Sequence, residues 1–317
     1  MGSPEFAVPS LRACIARHQV ALVMTQPDKP AGRGHRLTAP PVKRLAEEAG
    51  ISVLQPRSAR SADVAQALRA TEADLAVVVA YGKILPRAVL DAFPRGCVNV
   101  HASILPAYRG AAPIQWSIIR GERETGVTIM KLDEGMDTGP MILTRRESIR
   151  EDDTAGSLAQ RLSEIGAQAL VEALAAIERG TAVETAQDEA LATYAPLLSK
   201  ADGIVDWNRS AREVCDLVRG ADPWPGAATA LRGEPLKLYG ARTAEPTSGP
   251  EGPGYGEGQA GEVLAVDGEG AVIACGVGAV RIAQLQLPGG RRMAAAELAR
   301  GRGLTAGTLL GPAGEAA

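Results

Sequence analysis

The stretch CVNVHASILPAYRG, residues Cys97–Gly110, decides the fold of this chain. Its first residues are apolar and small or β-branched, which is typical of a buried strand, and Pro106 indicates that a loop follows. Side chains alternate along a strand, so Asn99 and His101 project to one side near its end. In open parallel sheets ligands bind at the carboxyl ends of strands. The stretch therefore predicts a ligand site. The alternative is a buried Asn and His that bond only to the backbone.

Strand and helix patterns alternate around this stretch. Leu75–Ala80 is a continuous apolar run, as expected for a parallel strand buried on both faces. Asp153 and Thr154 begin a long helix that Gly180 ends. Its apolar residues recur about every 3.6 positions, at Leu158, Leu162, Ile165, Leu170, Leu174 and Ile177. Alternation of this kind indicates βαβ units. We therefore predict an α/β domain over residues 1–180 with a Rossmann-like, mainly parallel sheet.

The character of the chain changes near Thr181. Residues 181–199 are polar and lack a strong period, so we interpret them as a linker. Residues 200–313 contain short strand-like pieces, which indicate a smaller β-barrel-like domain. We expect a helix over Asp202–Arg219 and a mobile loop over Glu245–Gly258, which is rich in Gly, Pro and Glu. The expected strands are Leu236–Tyr239, Gly261–Val266, Ala271–Ala274 and Ala279–Leu287.

Composition excludes several classes of protein. A length of 317 residues allows two domains, and the net charge of -3 argues against non-specific coating of a nucleic acid. No apolar run reaches the ~18–20 residues that cross a bilayer, so we expect no membrane association, and no signal peptide is visible. The four cysteines are far apart and form no C-x-x-C pair, which favours a reducing cytoplasm and argues against a metal site. No nucleotide fingerprint is present, so we expect neither NAD nor ATP.

A second informative stretch is GVTIMKLDEGMDTG, residues Gly126–Gly139. Its first half predicts a strand, and its second half predicts a tight acidic loop at the carboxyl end of that strand. In a parallel sheet this arrangement places Asp137 at the same edge as Asn99 and His101. A carboxylate beside an imidazole orients the ring, and an amide can donate to an oxygen that gains negative charge. The three residues together suit attack on a carbonyl without a covalent intermediate. The alternative is that Asp137 only caps its loop.

These motifs resemble those of the folate-dependent formyltransferases. The resemblance rests on Asn99-x-His101, on SILPAYRG (Ser103–Gly110) and on Asp137-Thr138-Gly139, and it covers nearly the whole chain. TQPDKPAGRG (Thr25–Gly34) is similar to a basic insertion loop found in the members that act on initiator Met-tRNA. The family pattern implies a formyltransferase domain followed by an OB-like domain that helps to orient tRNA.

The resemblance also implies a reaction. The formyl group of 10-formyltetrahydrofolate, as a cosubstrate, would move to the α-amino group of methionine on initiator tRNA. Asn99 would hydrogen-bond the formyl oxygen, and His101 would stabilise the tetrahedral intermediate and take part in proton transfer. Asp137 would fix the charge state of His101 and order a water that relays a proton towards the folate nitrogen.

Further residues follow from the same resemblance. The residues expected to bind folate are Ser103, Ile104, Leu105, Pro106, Tyr81, Gly82, Leu85 and Pro86. Those expected to contact tRNA are Lys29, Arg33, Arg36 and Lys43, because cationic side chains on a flexible loop suit phosphate contacts. Basic loops are more often solvated connectors, which is the alternative for this one. We expect the protein to be a monomer.

The chain departs from the family at its start. Family members have a central strand before the turn that Gly2-Ser3-Pro4 matches, so we expect roughly 5–6 residues of strand to be missing here. The alternative functions are formyl transfer to an amino sugar or to glycinamide ribonucleotide, and a folate- or RNA-binding module without catalysis. The basic loop favours the tRNA substrate over the first two alternatives.

Overall fold

The computed structural model describes residues 1–31, 36–244 and 258–311. The chain divides into two units. The first unit consists of Met1–Pro113, Glu124–Ser148 and Ala159–Pro196, and the second of Ile114–Arg123, Ile149–Leu158 and Leu197–Ala317. The domain boundaries drawn from the sequence stay a prediction.

The strands of the first unit have between two and eight residues. They are β1 (Val23–Met24), β2 (Lys29–Ala31), β3 (Arg36–Thr38), β4 (Val53–Leu54), β5 (Ala76–Val78), β6 (Cys97–His101), β7 (Arg109–Gly110), β8 (Glu124–Lys131), β9 (Met141–Ser148) and β10 (Tyr194–Ala195). The helices up to residue 178 are α1 (Val8–Arg17), α2 (Pro41–Glu48), α3 (Ala62–Arg69), α4 (Arg87–Leu90), α5 (Pro113–Ile119) and α6 (Ala155–Glu178). The long helix α6 belongs to the first unit from Ala159 onwards.

The central sheet of this unit has the order β5-β6-β8-β9. Strand β6 runs parallel to β5 and antiparallel to β8, and β8 is antiparallel to β9. Strands β1 and β4 form a separate parallel pair. Met1 and Gly2 connect this pair to the central sheet. The Gly2 amide donates to the Met24 carbonyl at 3.0 Å, and the Val79 amide donates to the Met1 carbonyl at 2.8 Å. The α/β class is confirmed. In this region the pairs β1–β4 and β5–β6 are parallel, whereas β6–β8 and β8–β9 are antiparallel.

A cavity of about 770 Å³ lies beside Met1 and Gly2, between residues of the β1 and β5 regions and α1. Its lining includes Leu11, Leu22 and Val77.

Helix α6 has the predicted apolar stripe. Leu158, Leu162 and Leu170 are fully buried, and Leu174 is almost so. Gly166 on the same helix is the point of closest approach to the sheet, because a Cβ built there would lie 2.9 Å from Cγ1 of Val100. Because glycine has no Cβ, α6 can pack directly on β6 at this position.

The second unit is built on a curled antiparallel sheet. Its strands are β11 (Ala227–Leu231), β12 (Glu234–Thr243), β13 (Val263–Asp267), β14 (Gly270–Ala274), β15 (Ala279–Gln286), β16 (Met293–Ala294) and β17 (Leu310–Gly311). Their order is β13-β14-β15-β12-β11-β17, with β16 beside β15. A bridge between Glu262 and Leu309 brings the two ends of this order together. The four predicted strands correspond to β12–β15, consistent with the expected OB-like domain.

Helix α5 belongs to the second unit from Ile114 onwards, and this unit also contains α7 (Ala211–Gly220) and α8 (Ala295–Arg302). The expected helix from Asp202 begins only at Ala211, because Ser210 and Glu213 form a capping box there. The sequence reasoning did not predict α8. The expected mobile loop at residues 245–257 lies outside the described residues. In the part of the chain that the structure describes, no helix is both long and apolar enough to span a bilayer.

Candidate active site

Asn99 and His101 lie at the end of β6, in the interior of the central sheet. All five residues of this strand are buried, with Asn99 9% and His101 5% exposed. The side-chain amide of Asn99 makes no hydrogen bond within residues 1–31, 36–244 and 258–311. The amide atoms are not among the fully buried polar atoms that lack a partner, so the amide of this largely enclosed side chain is accessible to a ligand.

The imidazole of His101 lies between two oxygen acceptors. Its Nε2 lies 2.9 Å from the carbonyl oxygen of Tyr108. Its Nδ1 lies 3.6 Å from Oδ2 of Asp137. The Nε2 contact is a hydrogen bond, whereas Nδ1 lies beyond hydrogen-bond distance from the carboxylate. The ring is therefore held between the two loops, with the Asp137 carboxylate facing Nδ1.

Asp137 reaches His101 by a different route from the one expected. Parallel strands were expected, but β8 runs antiparallel to β6, with His101 opposite Thr128 and Val98 opposite Lys131. The loop after β8 therefore starts near the beginning of β6 and returns towards its end. Oδ2 of Asp137 also accepts from the Gly110 amide at 2.9 Å, which ties this returning loop to the loop after β6.

The two loops beside His101 contain unusual backbone conformations. Tyr108 has φ 62° and Asp137 has φ 56°, in the left-handed region that L-residues rarely adopt. Such a conformation costs about 1–3 kcal/mol and persists only where surrounding contacts hold it. Both acceptors of His101 therefore belong to residues whose backbone is held in place by neighbouring structure.

The holding contacts come from residues that the sequence argument assigned to a linker. Arg109 is fully buried, and its Nε and Nη2 donate to Oε1 of Gln187 at 3.0 and 2.9 Å. Its Nη1 and Nη2 also bond both carboxylate oxygens of Glu189, at 2.9 and 2.8 Å. The sequence reasoning missed Gln187, Glu189 and Thr193. One signal was available: an arginine in an apolar motif needs acceptors, and the nearby polar stretch offers them.

The residues expected to bind folate fall into two groups. Ser103, Leu105, Tyr81 and Leu85 are buried side chains, and the Ser103 hydroxyl donates to the Ala107 carbonyl at 2.6 Å. Burial raises the pKa of Tyr81, whose hydroxyl has no partner among the described residues. The remaining four are at least partly accessible: Gly82, Pro86, Ile104 and Pro106. Half of the predicted set is thus accessible, and its contact with folate stays a prediction.

The residues expected to contact tRNA also differ in their placement. Lys29 is exposed on β2, which pairs with β3 in a short hairpin. Arg33 lies outside the described residues, and of Arg36 only the backbone, in β3, is described. The ammonium of Lys43 bonds both carboxylate oxygens of Asp28, and the pKa of Asp28 is lowered by that bond. Lys43 therefore has an internal partner.

The geometry and the comparisons define a class of protein. A formyl transferase family model matches residues 1–174, and the model of the family's C-terminal domain matches residues 197–303. The chain therefore belongs to the formyl transferase family, and the resemblance inferred from its motifs is confirmed.

Two relatives align with this chain over almost its full length. A protein of Geobacter metallireducens named methionyl-tRNA formyltransferase is 46% identical over 312 residues, which cover 98% of this chain and 97% of the relative. A protein of the same name from Geobacter sulfurreducens is 48% identical over 315 residues, or 99% of this chain and 96% of the relative.

Solved structures share the fold at lower identity. The N-formyltransferase of Helicobacter canadensis, in complex with folinic acid and dTDP-3-aminofucose, superposes with a TM-score of 0.65 at 20% identity. The match covers 90% of this chain and 97% of that one. HypX of Aquifex aeolicus with tetrahydrofolic acid gives 0.62 at 23% identity, over 88% of this chain and 46% of that one. At these identities the likeness concerns the fold alone.

Proposed function

We propose that this protein transfers the formyl group of 10-formyltetrahydrofolate to the α-amino group of methionine on initiator Met-tRNA. The observation that carries the proposal is the Asn99 amide, which no described residue bonds, beside an imidazole that faces two acceptors. Relatives named methionyl-tRNA formyltransferase, which align over almost the full chain, support the choice of acceptor. A cytoplasmic location is part of the proposal and agrees with four free cysteines.

Formyl transfer requires from the site a donor to the carbonyl oxygen and a group that assists proton transfer. The cosubstrate supplies a formyl carbonyl that an amine can attack. As the new C–N bond forms, the carbonyl oxygen gains negative charge, and the Asn99 amide donates to it. Removal of one such donor typically costs ~10²–10³ in rate. The C–N bond to folate then breaks, and a proton passes from the attacking amine to the leaving nitrogen. His101, with Asp137 beside its Nδ1, is the group placed to assist that transfer.

The residues present fit a folate at the edge of β6. Asn99 provides an amide donor that no described residue uses. Ile104, Pro106, Gly82 and Pro86 provide accessible surface on the two loops that the family motif marks. Buried residues of the same loops have a structural role. The Ser103 hydroxyl donates to the Ala107 carbonyl, and the Ser103 carbonyl accepts from the Thr128 hydroxyl, which stabilises the loop after β6. We therefore propose the accessible four as the contact set, with Ser103, Leu105, Tyr81 and Leu85 shaping the loops beneath.

For the tRNA we propose contacts from Lys29, Arg33 and Arg36 on the β2–β3 segment. Lys43 acts beneath them: its bonds to Asp28 and to Oε1 of Gln55, the latter at 2.9 Å, fix the base of the segment. Phosphate contacts position a nucleic acid without reading its bases. The second unit would then contribute orientation.

The test is formyl transfer measured with initiator Met-tRNA, elongator Met-tRNA and an amino-sugar nucleotide as separate acceptors. We expect transfer only to the initiator. Asn99→Ala should lower kcat by ~10²–10³, and His101→Ala and Asp137→Ala by ~10²–10⁴.

The chain offers matched controls, because Asn208 is its other asparagine and His18 is another histidine, both of them exposed. Asn208→Ala and His18→Ala should keep full activity. Transfer to the sugar nucleotide, or normal turnover by Asn99→Ala, would contradict the proposal.

A further inference from the structure

Both acceptors of His101 are held by one segment of the chain, residues 185–195, which we call the clasp segment. On the Tyr108 side, the Tyr108 amide donates to Oγ1 of Thr193 at 2.9 Å, and the Arg109 amide donates to the Thr193 carbonyl at 2.8 Å. Strand β10 within the clasp segment then pairs in parallel with β7. These contacts fix the loop that presents the Tyr108 carbonyl to Nε2.

On the Asp137 side, the clasp segment acts mainly through Gln187. Its Nε2 donates to the carbonyl oxygens of Asp137 and Gly139, each at 2.8 Å. At the start of the clasp segment Thr185 exchanges two backbone bonds with Met141, both 2.8 Å, at the beginning of β9. Gln187 is therefore bonded to the backbone of the residue whose carboxylate faces His101.

The orientation of the Gln187 amide is fixed by Arg109. Oε1 of Gln187 accepts from two nitrogens of the buried guanidinium, which can only donate. The amide nitrogen must then face the two carbonyls of the Asp137 loop. Arg109 is in turn held by both oxygens of Glu189. Each member of this network therefore has a single arrangement that satisfies its donors and acceptors.

We propose that Gln187 is a positioning residue for the formyl transfer reaction. By holding the backbone of Asp137 at φ 56°, it sets the distance between the Asp137 carboxylate and Nδ1 of His101. Gln187 itself touches no reacting atom. The inference rests on the proposed function, because it assigns Gln187 an effect on the step that His101 and Asp137 perform.

The test is Gln187→Glu in the full chain. A glutamate keeps the acceptors for Arg109 but turns an oxygen, in place of the donor, towards two carbonyls. We expect kcat to fall by ~10–100-fold, since displacement of catalytic groups by about 1 Å has effects of that order. KM for Met-tRNA and for 10-formyltetrahydrofolate should change by less than about threefold, because the interaction serves the chemical step.

A double-mutant cycle separates positioning from general damage. In an Asp137→Ala background, Gln187→Glu should cost less than about twofold further, because residues that act through one another are not additive. Hydrogen exchange of residues 133–141 should accelerate in Gln187→Glu, which reports on loop release without any activity.

Gln286 provides the matched control. It is also a half-buried glutamine that accepts from one side chain, the Tyr239 hydroxyl, and donates to one carbonyl, that of Gly290, both at 2.9 Å. Gln286→Glu should leave kcat and the exchange of residues 133–141 unchanged.

Two results would overturn the inference: a kcat of Gln187→Glu within twofold of wild type, or an equal loss in both backgrounds. If the wild-type protein itself transfers no formyl group, the proposed function fails. The exchange comparison still decides whether Gln187 holds the loop, and unchanged exchange then rejects it.

Discussion

Gly166→Ala is a change remote from the chemistry that should impair both stability and turnover. The new Cβ would lie 2.9 Å from Cγ1 of Val100 and 3.5 Å from Cγ1 of Val127. Val100 lies between Asn99 and His101 on β6, and both valines are buried. Carbon atoms in contact prefer about 3.5–4.0 Å, so helix and strand must separate by roughly 0.6 Å.

Two opposing terms decide the sign of the stability change. Replacement of glycine by alanine inside a helix stabilises by about 0.8–1.0 kcal/mol. Overpacking of a filled core costs about 1–3 kcal/mol, and a stiff β-branched valine has little freedom to yield. We therefore expect the free energy of unfolding to fall by about 0–2 kcal/mol. A shift of β6 beneath both site residues should also lower kcat by roughly 10-fold.

The assay must report on the correct unit. The tryptophans of the chain, Trp116, Trp207 and Trp224, all belong to the second unit, so urea unfolding of the first should be followed by far-UV circular dichroism. Gly301→Ala in α8 is the control, because no described residue lies within 4 Å of a Cβ there, and it should stabilise by about 0.5 kcal/mol. If Gly166→Ala stabilised the protein equally and kept its kcat, the close packing of α6 on β6 would not constrain the site.

The remaining predictions concern thiols, the buried arginine and acid stability. Burial raises the pKa of three thiols, to about 12 for Cys97 and Cys215 and to about 11 for Cys275. Iodoacetamide at pH 8 should therefore modify these thiols only after denaturation, which peptide mass spectrometry can check. Arg109→Met should lower the free energy of urea unfolding by about 1–3 kcal/mol, because Oε1 of Gln187 loses both donors whereas the exposed Glu189 can bind water. A loss below about 0.5 kcal/mol would show that the network contributes little. Arg109 also lowers the pKa of Glu189, so this pair stabilises the fold above the ordinary value of 4.5 and ceases to do so as pH falls through the lower folded value. Glu189→Gln should therefore flatten the decline in Tm below about pH 4.5; an unchanged decline would contradict that.

Local patterns were sufficient for the elements that depend on near neighbours in sequence. The stripe of α6 and its end at Gly180, which has φ 70°, follow from helical periodicity and from the need for a left-handed residue at a helix end. The strand before His101 and the strands β12–β15 follow from short apolar runs between turns. The pairing of Asn99 with His101 follows from the alternation of a strand.

Elements that depend on distant partners were not predictable in this way. The β2–β3 hairpin appeared as a loop, because its three-residue strands have too few positions to show a period. The direction of β8 was assumed to be parallel, because a single strand carries no local signal for the direction of its neighbour. The clasp segment appeared as a linker, since its polar residues satisfy a buried arginine about eighty positions away.

The sequence by itself thus determined the class of fold, the family and the identity of the residues at the end of β6. Each of these is written in local periodicity or in contiguous motifs. The tertiary structure alone decided that Asp137 returns to His101 from an antiparallel strand, that Lys43 is bound to Asp28, and that Gln187 holds the loop of Asp137. The physical reason is that hydrogen bonds between segments far apart in sequence depend on which backbones meet in space, which no local pattern encodes.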